Sequence, residues 1–475
     1  MHQKNNYQTS CRLRNFSILS VLALTVSNVF LTLRLLQTDC GHHLNNEITT
    51  SIVPKPPIIL TPASQCLEYI LADSNGNVSE KAVFSGLDLK LGRWDSRRMF
   101  KVFDFVIHGE KFTELSDKLN VTLATQSSIE KIFSLVQVSH HWSGPISIAV
   151  YVAGDDELYL LQVYLTFLRY CYVTIRERVA FHLTFPKDRS PSNIRSVHLS
   201  DIITKYNCAK PEQTITELLK QRTAETKKWR IKYPYPQNFL RNVARKNCQT
   251  HHVFLTDVDI IPSANLNFAE QLDKFLKKAK CANSNNLCAY VIPTYELDER
   301  VRFPRNKTDL IRLTNKGLAR PFHNKVFIYN QYATNFSRWQ ADLTETEDVR
   351  ISHAVTNFEF LYEPFFVASD NNPPHDERFI GYGYTRNTQV YEMFVAGYQF
   401  QVLTPLFTIH WGLQNKKGRP AWREHQNNIN RKHFEIFKRE LFARYHKDPL
   451  KMLAPKKAKG PNAAGNINAG GINVG

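Results

Sequence analysis

The sequence predicts an α/β protein built on a doubly wound, mostly parallel sheet, with an apolar segment ahead of it near the N-terminus. Three observations point there. Apolar strand-like runs alternate with helical stretches from Pro145 to Ile409, the pattern that generates crossover connections and parallel strands. One of those strands ends in two carboxylates, Asp257 and Asp259, and open α/β sheets gather their ligands at the carboxyl ends of strands. Finally, Asn15–Leu33 is an uncharged, mostly apolar run between Arg14 and Arg34.

The elements of the main domain, expected over 141–450, follow in order. Ile146–Val152 reads as a buried strand, and the Gly154-Asp155-Asp156 turn offers a helix cap. Leu158, Leu161, Leu165 and Leu168 then share one helical face. Val179–Phe185 reads as a second strand, and Glu217–Lys232 and Asn238–Lys246 as polar helices. Val253–Thr256, Ala289–Ile292, Phe400–Leu403 and Leu406–Ile409 complete the strands. Residues 66–140 mix short apolar runs, Lys101–Ile107 among them, with turns, and are expected to form a small accessory unit. Residues 37–65, with Pro54, Pro56, Pro57 and Pro62, read as a stem. The Lys-, Ala-, Asn- and Gly-rich tail, 451–475, is expected to be disordered.

Nineteen residues of helix span about 28 Å, close to the hydrocarbon thickness of a bilayer. With Lys4, Arg12 and Arg14 ahead of the run, the positive-inside rule predicts a cytosolic tail over 1–14 and a transmembrane signal anchor over 15–36. A cleaved signal peptide is the alternative. Either way the remainder enters an oxidising compartment. The sequons at Asn77, Asn120, Asn306 and Asn335 agree with that destination. So do the seven cysteines after the anchor, which lack zinc-finger spacing and read as disulfide formers, Cys281 with Cys288 first among them. The odd count leaves one thiol free or shared with another chain.

A formal net charge of +18 points to acidic partners: a membrane surface, nucleotide diphosphates or acidic glycans. Nucleic acid is not among the expected partners, because the chain shows neither zinc-finger spacing nor an aromatic RNA-binding signature.

Two segments carry chemistry. His251–Pro262 is an apolar strand running into Asp257-Val-Asp259 and then Ile-Ile-Pro. Hard carboxylate ligands at a strand end suit Mn²⁺, with Mg²⁺ as a substitute, and such an ion neutralises a departing diphosphate. Solvated carboxylates in a strand-end turn are the bland alternative. In Phe407–Trp422, His410 ends an apolar strand and Lys416, Lys417 and Arg419 follow. The imidazole can complete a metal site and the cations can hold phosphate oxygens; a His that merely closes its strand is the alternative.

His410-Trp-Gly412 followed by Lys416 resembles the metal-and-diphosphate segment of GT-A glycosyltransferases. Asp376–Arg386, Gln389–Met393, Thr256–Pro262 and Arg419–Glu424 together resemble glycosyltransferase family 49, the family of the LARGE enzymes' second domain, over roughly residues 140 to 445. The resemblance implies a GT-A-type fold, with Asp257, Asp259 and His410 on the metal. It also implies an inverting enzyme of the Golgi membrane, single-pass type II with a lumenal catalytic domain. Its donor is then UDP-glucuronate, and its product a β-1,4-linked glucuronide on a xylose-containing O-mannosyl glycan, the primer of matriglycan on dystroglycan. Two other functions remain open at this point: β-1,3-N-acetylglucosaminyl transfer onto poly-N-acetyllactosamine, and a non-catalytic partner of another Golgi transferase. Association with LARGE-like transferases or self-association belongs to the same expectation.

Inversion needs a base on the acceptor hydroxyl. Many inverting GT-A enzymes place an acidic pair after a Gly-Trp-Gly-like turn. Here Gly381–Asn387 has no carboxylate, so Asp376 and Glu377 are the nearest candidates and Glu392 the next. Arg241 and Arg245, one helical turn apart, are candidates to grip the diphosphate or the uronate carboxylate. Arg378 and Arg386 are alternatives for the carboxylate.

Overall fold

Short runs of β-branched, aromatic and alanine residues, buried along nearly their whole length, make the strands that position the site. The computed structural model of the chain describes residues 83–84, 86–263, 267–281, 287–343, 348–415 and 420–453. All belong to one compact unit, Pro57–Gly475. The expected tail, anchor and stem, Asn77, Cys40, Cys66, Lys416, Lys417, Arg419 and nearly all of the C-terminal tail lie outside the described residues. No helix among the described residues is long and apolar enough to cross a membrane.

In chain order the strands are β1 (Arg93–Trp94), β2 (Phe100–Ile107), β3 (Val121–Ser128), β4 (Ile146–Tyr151), β5 (Val179–Pro186), β6 (His252–Leu255) and β7 (Ile261–Pro262). They continue with β8 (Cys288–Val291), β9 (Thr294–Leu297), β10 (Ala319–Pro321), β11 (Arg350–Ala354), β12 (Phe366–Ser369), β13 (Gln399–Thr404) and β14 (Thr408–Trp411). Ten of them form one sheet in the order β1-β2-β5-β4-β3-β6-β12-β8-β13-β11. The block β5-β4-β3-β6 is parallel, as is the pair β8-β13. β12 runs antiparallel between β6 and β8, so the strands on either side of it share one direction. The fold is therefore mixed α/β with a large, mostly parallel sheet. A second, four-stranded sheet, β10-β9-β14-β7, stands beside it.

Helices cover both faces of the large sheet. Leu123, Ile146, Ile148, Val150 and Phe254 face one core together with Leu158, Leu161, Leu165 and Leu168 of helix Gly154–Cys171. Their neighbours Ala124, Ala149, Tyr151, Val253 and Leu255 face the other, against Phe239, Leu240, Val243 and Ala244 of helix Gln237–Lys246. Residues adjacent in each strand thus fall on opposite faces, and both faces are dry.

The structure corrects the sequence in three places. The accessory unit expected over 66–140 does not stand apart, because β1 and β2 extend the main sheet and β3 lies inside it between β4 and β6. β3 escaped recognition because its sequence is half hydroxyl-bearing, yet all but its last residue is buried. Thr122 meets this burial by hydrogen bonding to Thr250 at 2.8 Å. The helix expected over Glu217–Lys232 is two, Pro211–Lys220 and Ala224–Lys232. The break is pinned by Asp156, which accepts from the Thr223 amide at 3.0 Å and from its hydroxyl at 2.9 Å. Asp156 therefore holds a distant turn, and the amide of the helix's own N-cap residue, Ala153, is accepted by Glu157 Oε2 at 2.8 Å.

Cys281 pairs with Cys288 as expected, and a second disulfide, Cys171–Cys208, closes a separation of 37 residues. Cys248 is free. Of the sequons, Asn306 and Asn335 are exposed and cap the helices that follow them, whereas Thr122 of the Asn120 sequon is buried in β3. Opening the Cys171–Cys208 loop restores chain entropy worth about 3–4 kcal/mol to the unfolded state. Cys171→Ser with Cys208→Ser is expected to lower stability by about that amount in denaturant titrations of the oxidised protein, and an unchanged midpoint would contradict the loop's role.

Candidate active site

The site forms where the carboxyl end of β6 meets the four-stranded sheet. After β6 the chain turns through Asp257-Val258-Asp259 and enters β7, which pairs antiparallel with β14 through Thr408 opposite Pro262 and Ile409 opposite Ile261. That register carries the next residue of β14, His410, toward the turn, and its Nε2 lies 3.8 Å from Asp259 Oδ2. Lys131 Nζ approaches the same oxygen at 3.9 Å. Asp259 keeps 33% of its side chain open.

Asp257 has a different surrounding. Its Oδ1 accepts from Arg241 Nη2 and from Arg386 Nη2, each at 2.9 Å. Both guanidiniums are nearly sealed from water, at 6% and 5% exposure. Burial alone pushes the Asp257 carboxyl up, but Arg386 and Arg241 outweigh it and hold the group far below the usual carboxylate range. Burial also draws the Arg386 guanidinium down, to about 10, against the pull of Asp257. Asp257 is therefore a permanent anion clamped between two helices, Gln237–Lys246 and Arg386–Ala396.

The clamp depends on the turn ahead of Arg386. Gly381 and Gly383 have φ of 75° and 88°, and an added Cβ at either would strike Gln426 or Asn427 of helix Ala421–Tyr445. Only glycine fits there. Asn430 Nδ2 donates to the carbonyls of Ile380, Tyr382 and Gly383 at 2.9–3.1 Å, fixing the turn against that helix.

His410 is supported from β9. Glu296, in register with His410 and fully buried, accepts from Arg320 Nε at 2.8 Å, from the His323 amide at 2.9 Å and from the Gln414 amide at 3.1 Å. Two strands and the segment after His410 are tied to one carboxylate. Phe322 stacks on His323 at 3.9 Å and touches the His410 ring at 5.4 Å. Burial, and then His410, hold the His323 imidazole down at about 4, so it is neutral at physiological pH.

The remaining sequence-predicted residues are committed elsewhere. Arg245 binds Asp370 at 2.6 Å, Asn372 and the Pro373 carbonyl, and makes no contact with Asp257. Arg378 joins Asp376 to Glu440, and Glu377 accepts from Asn242 Nδ2 at 2.8 Å. Glu392 pairs with Arg444. The structure thus gathers Asp257, Asp259, His410, Arg241 and Arg386, and leaves Arg245, Arg378, Asp376 and Glu377 in separate networks.

Bonds of about 2.1 Å from a divalent ion to oxygen or nitrogen let two of its ligands stand up to about 4.2 Å apart. Asp259 and His410 fall within that span. Among the described residues no three His, Cys, Asp or Glu side chains are grouped as a metal cluster. Two protein ligands fit the usual division in which substrate phosphates supply further oxygens.

Sequence reasoning missed Glu296, Lys131, His323 and Glu363. Glu363 precedes β12, whose antiparallel pairing places its first residues beside the end of β6. Nothing in the spacing around Glu363 marks it. Its place depends on β12 running against its neighbours.

The two aspartates are separable by stability. Asp257→Asn leaves two buried guanidiniums facing one neutral amide, a loss of about 3 kcal/mol for breaking such a pair. Asp259→Asn breaks no such bonded pair, since the nearest side-chain nitrogens stand at 3.8 and 3.9 Å, and is expected to stay within about 0.5 kcal/mol of the parent. Thermal melts are expected to show a clear drop for the first variant alone; equal melting temperatures would refute the clamp.

Residues 120–446 match the family described as "Glycosyl-transferase for dystroglycan". The mouse protein named beta-1,4-glucuronyltransferase 1 is 30% identical over 356 residues, covering 73% of this chain and 81% of its own length. Its human counterpart is 29% identical over 348 residues, with the same coverage of 73% and 81%. The human xylosyl- and glucuronyltransferase LARGE1 is 26% identical over 311 residues, 64% of this chain and 33% of that protein. The family match takes in the strand before Asp257, the clamp and His410 alike: the chain belongs to the dystroglycan glycosyltransferase family.

Proposed function

We propose that this protein is an inverting, metal-dependent glycosyltransferase of GT-A type that moves glucuronate from UDP-glucuronate, in β-1,4 linkage, to a xylose-containing O-mannosyl glycan on a dystroglycan-like acceptor. Its relatives' names supply the sugar. The observation that carries the chemistry is the pairing of Asp259 with His410 at 3.8 Å beside the clamped Asp257.

Each residue then has a physical task. Asp259 and His410 hold the ion, Mn²⁺ with Mg²⁺ as a poorer substitute, since Mg²⁺ demands stricter octahedral geometry. The ion, when bound, supplies neutralisation of the departing diphosphate. Arg241 and Arg386 are spent on Asp257, so they fix its direction and do not grip the uronate. Lys416 and Lys417 follow the Gln414–Asn415 segment that Glu296 and Arg320 tie down, and they serve as cations for the diphosphate.

The same proposal includes a Golgi-membrane setting, with residues 15–36 as signal anchor and the whole ten-stranded sheet, β1 to β3 included, in the lumen. The two disulfides and the exposed Asn306 and Asn335 support it.

A donor screen on the full chain in detergent tests the whole. With Mn²⁺ and a β-xyloside acceptor, UDP-glucuronate is expected to be the preferred donor, with activity abolished by chelation. Asp259→Asn is expected to lose at least a hundredfold in kcat/KM. His410→Ala is expected to weaken Mn²⁺-dependent UDP binding about tenfold or more, since the diphosphate is held through the ion. Preference for UDP-N-acetylglucosamine would replace the donor, and undiminished turnover after exhaustive chelation would remove the metal.

A further inference from the structure

The displacement proposed above lacks its base, because Asp376, Glu377 and Glu392 are all engaged in other networks. One carboxylate at the same sheet edge is differently placed. Glu363 sits in a recess, enclosed by protein yet still partly open at its surface. β12 runs antiparallel to β6 with Val367 opposite Phe254, so the residues entering β12 lie next to the turn that carries Asp257. Two residues on, the Phe365 ring lies 4.3 Å from the Arg386 guanidinium, which itself holds Asp257. On the other side, Phe322 bridges Phe365 at 6.1 Å and His410 at 5.4 Å.

Among the described residues no cation is bonded to the Glu363 carboxylate. Asn330 Nδ2 donates to its Oε2 at 3.5 Å and also to His323 Nδ1 at 2.8 Å. The backbone N–H of Asn387 donates to it as well, whereas Arg386 and Arg241 act on it only as charges at a distance. Its main chain is fastened by the bond from the Glu363 amide to the Asn330 carbonyl at 2.8 Å and by Gln331 Nε2 to the Glu363 carbonyl at 2.9 Å. Asn330 and Gln331 belong to the short turns that also carry Tyr329 and Tyr332, which are 55% and 57% exposed. Those tyrosines, next in sequence to Asn330 and Gln331, expose the kind of aromatic face on which a sugar ring packs.

We propose that Glu363 is the general base of the transfer, and this rests on the glycosyltransferase function proposed above. The carboxylate takes the proton from the acceptor hydroxyl as that oxygen bonds to the anomeric carbon of the donor sugar. The bond from that carbon to the diphosphate oxygen breaks, and UDP departs with the electron pair. Glu363, now a carboxylic acid, returns its proton to water through the open side of the recess. Burial pushes the Glu363 carboxyl above its ordinary range, against the opposing charges of Arg386 and Arg241, which strengthens it as a proton acceptor. His323, neutral and joined through Asn330, adds no charge.

The alternative is that Glu363 merely caps helix Arg386–Ala396 through the Asn387 amide. Glu363→Gln keeps an acceptor oxygen for that amide and separates the two roles. With wild type run alongside, Glu363→Gln is expected to keep the melting temperature, Mn²⁺-dependent UDP affinity and donor KM, and to lose about 10²–10⁴-fold in kcat. The acid limb of the wild-type kcat profile, where turnover falls as Glu363 gains its proton, is expected to vanish in the residue left to this variant. Glu363→Asp is expected to retain the limb and recover part of the rate. A folded Glu363→Gln with kcat within threefold of wild type overturns the proposal. If that variant does not fold, the Glu363→Asp profile decides, and an unshifted limb at full rate overturns it. Should wild type transfer a sugar other than glucuronate, the same comparisons on that donor test Glu363 while the glucuronate proposal falls. Should it transfer none, both fall.

Discussion

The bond that the site depends on is the one between Asp257 and its two buried arginines. Three elements converge on a single oxygen: the end of β6, helix Gln237–Lys246 just before it in the chain, and helix Arg386–Ala396, more than a hundred residues on. Removing two guanidiniums from water is costly, and only a fixed anion makes it tolerable. The anion must come from the strand end, because the arginines arrive from helices on either side of it. Once that geometry is set, the turn after Asp257 has one course, which leads into β7 and so to β14. His410 reaches Asp259 because β7 and β14 are in register.

This explains why the small sheet matters more than its size suggests. It contains few residues, but β9 holds Glu296 and β14 holds His410 side by side. A buried carboxylate with three donors is fully satisfied and therefore rigid. Through it, β10, β9 and Gln414 are tied to one another. The phosphate-binding role proposed for Lys416 and Lys417 draws on that rigidity, since their segment begins at a backbone position that Glu296 already fixes.

Much of this was legible in the sequence, and the failures share a cause. β4, β5, β6, β8 and β13 are apolar runs whose burial is visible residue by residue, and the alternation of strand and helix followed from them. Asp257, Asp259 and His410 stood out because each ends such a run. β3 was not legible, since Thr122, Thr125 and Ser127 look like a surface segment until buried partners are known. Arg245 illustrates the limit in the other direction. Its one-turn spacing from Arg241 is real, yet Arg245 turns to Asp370 and the carbonyls of the Asp370–Pro373 segment. Helical spacing fixes which residues share a face, and says nothing of what that face meets. Glu363 and Glu296 depend on pairings across tens of residues, which no local pattern encodes.

The two aspartates of the motif, separated by the buried Val258, show why one intervening residue is a useful interval. Neighbouring side chains in an extended segment point apart, and alternate ones share a side. A strict strand would therefore aim both carboxylates alike. The turn here breaks that rule: the Ile260 amide bonds back to the Asp257 carbonyl at 3.0 Å, and the two side chains acquire different neighbours. Asp257 is drawn to the two buried arginines, while Asp259, as open as Asp257 at 33% against 32%, has Lys131 and His410 as its neighbours among the described residues. A carboxylate already bonded to two guanidiniums is a poor sole ligand for a cation, because its charge is largely spent. A carboxylate that no nitrogen among the described residues approaches within hydrogen-bond distance is a better one. The motif is thus a division of labour, in which the first acid builds the floor and the second, on that floor, is free to bind.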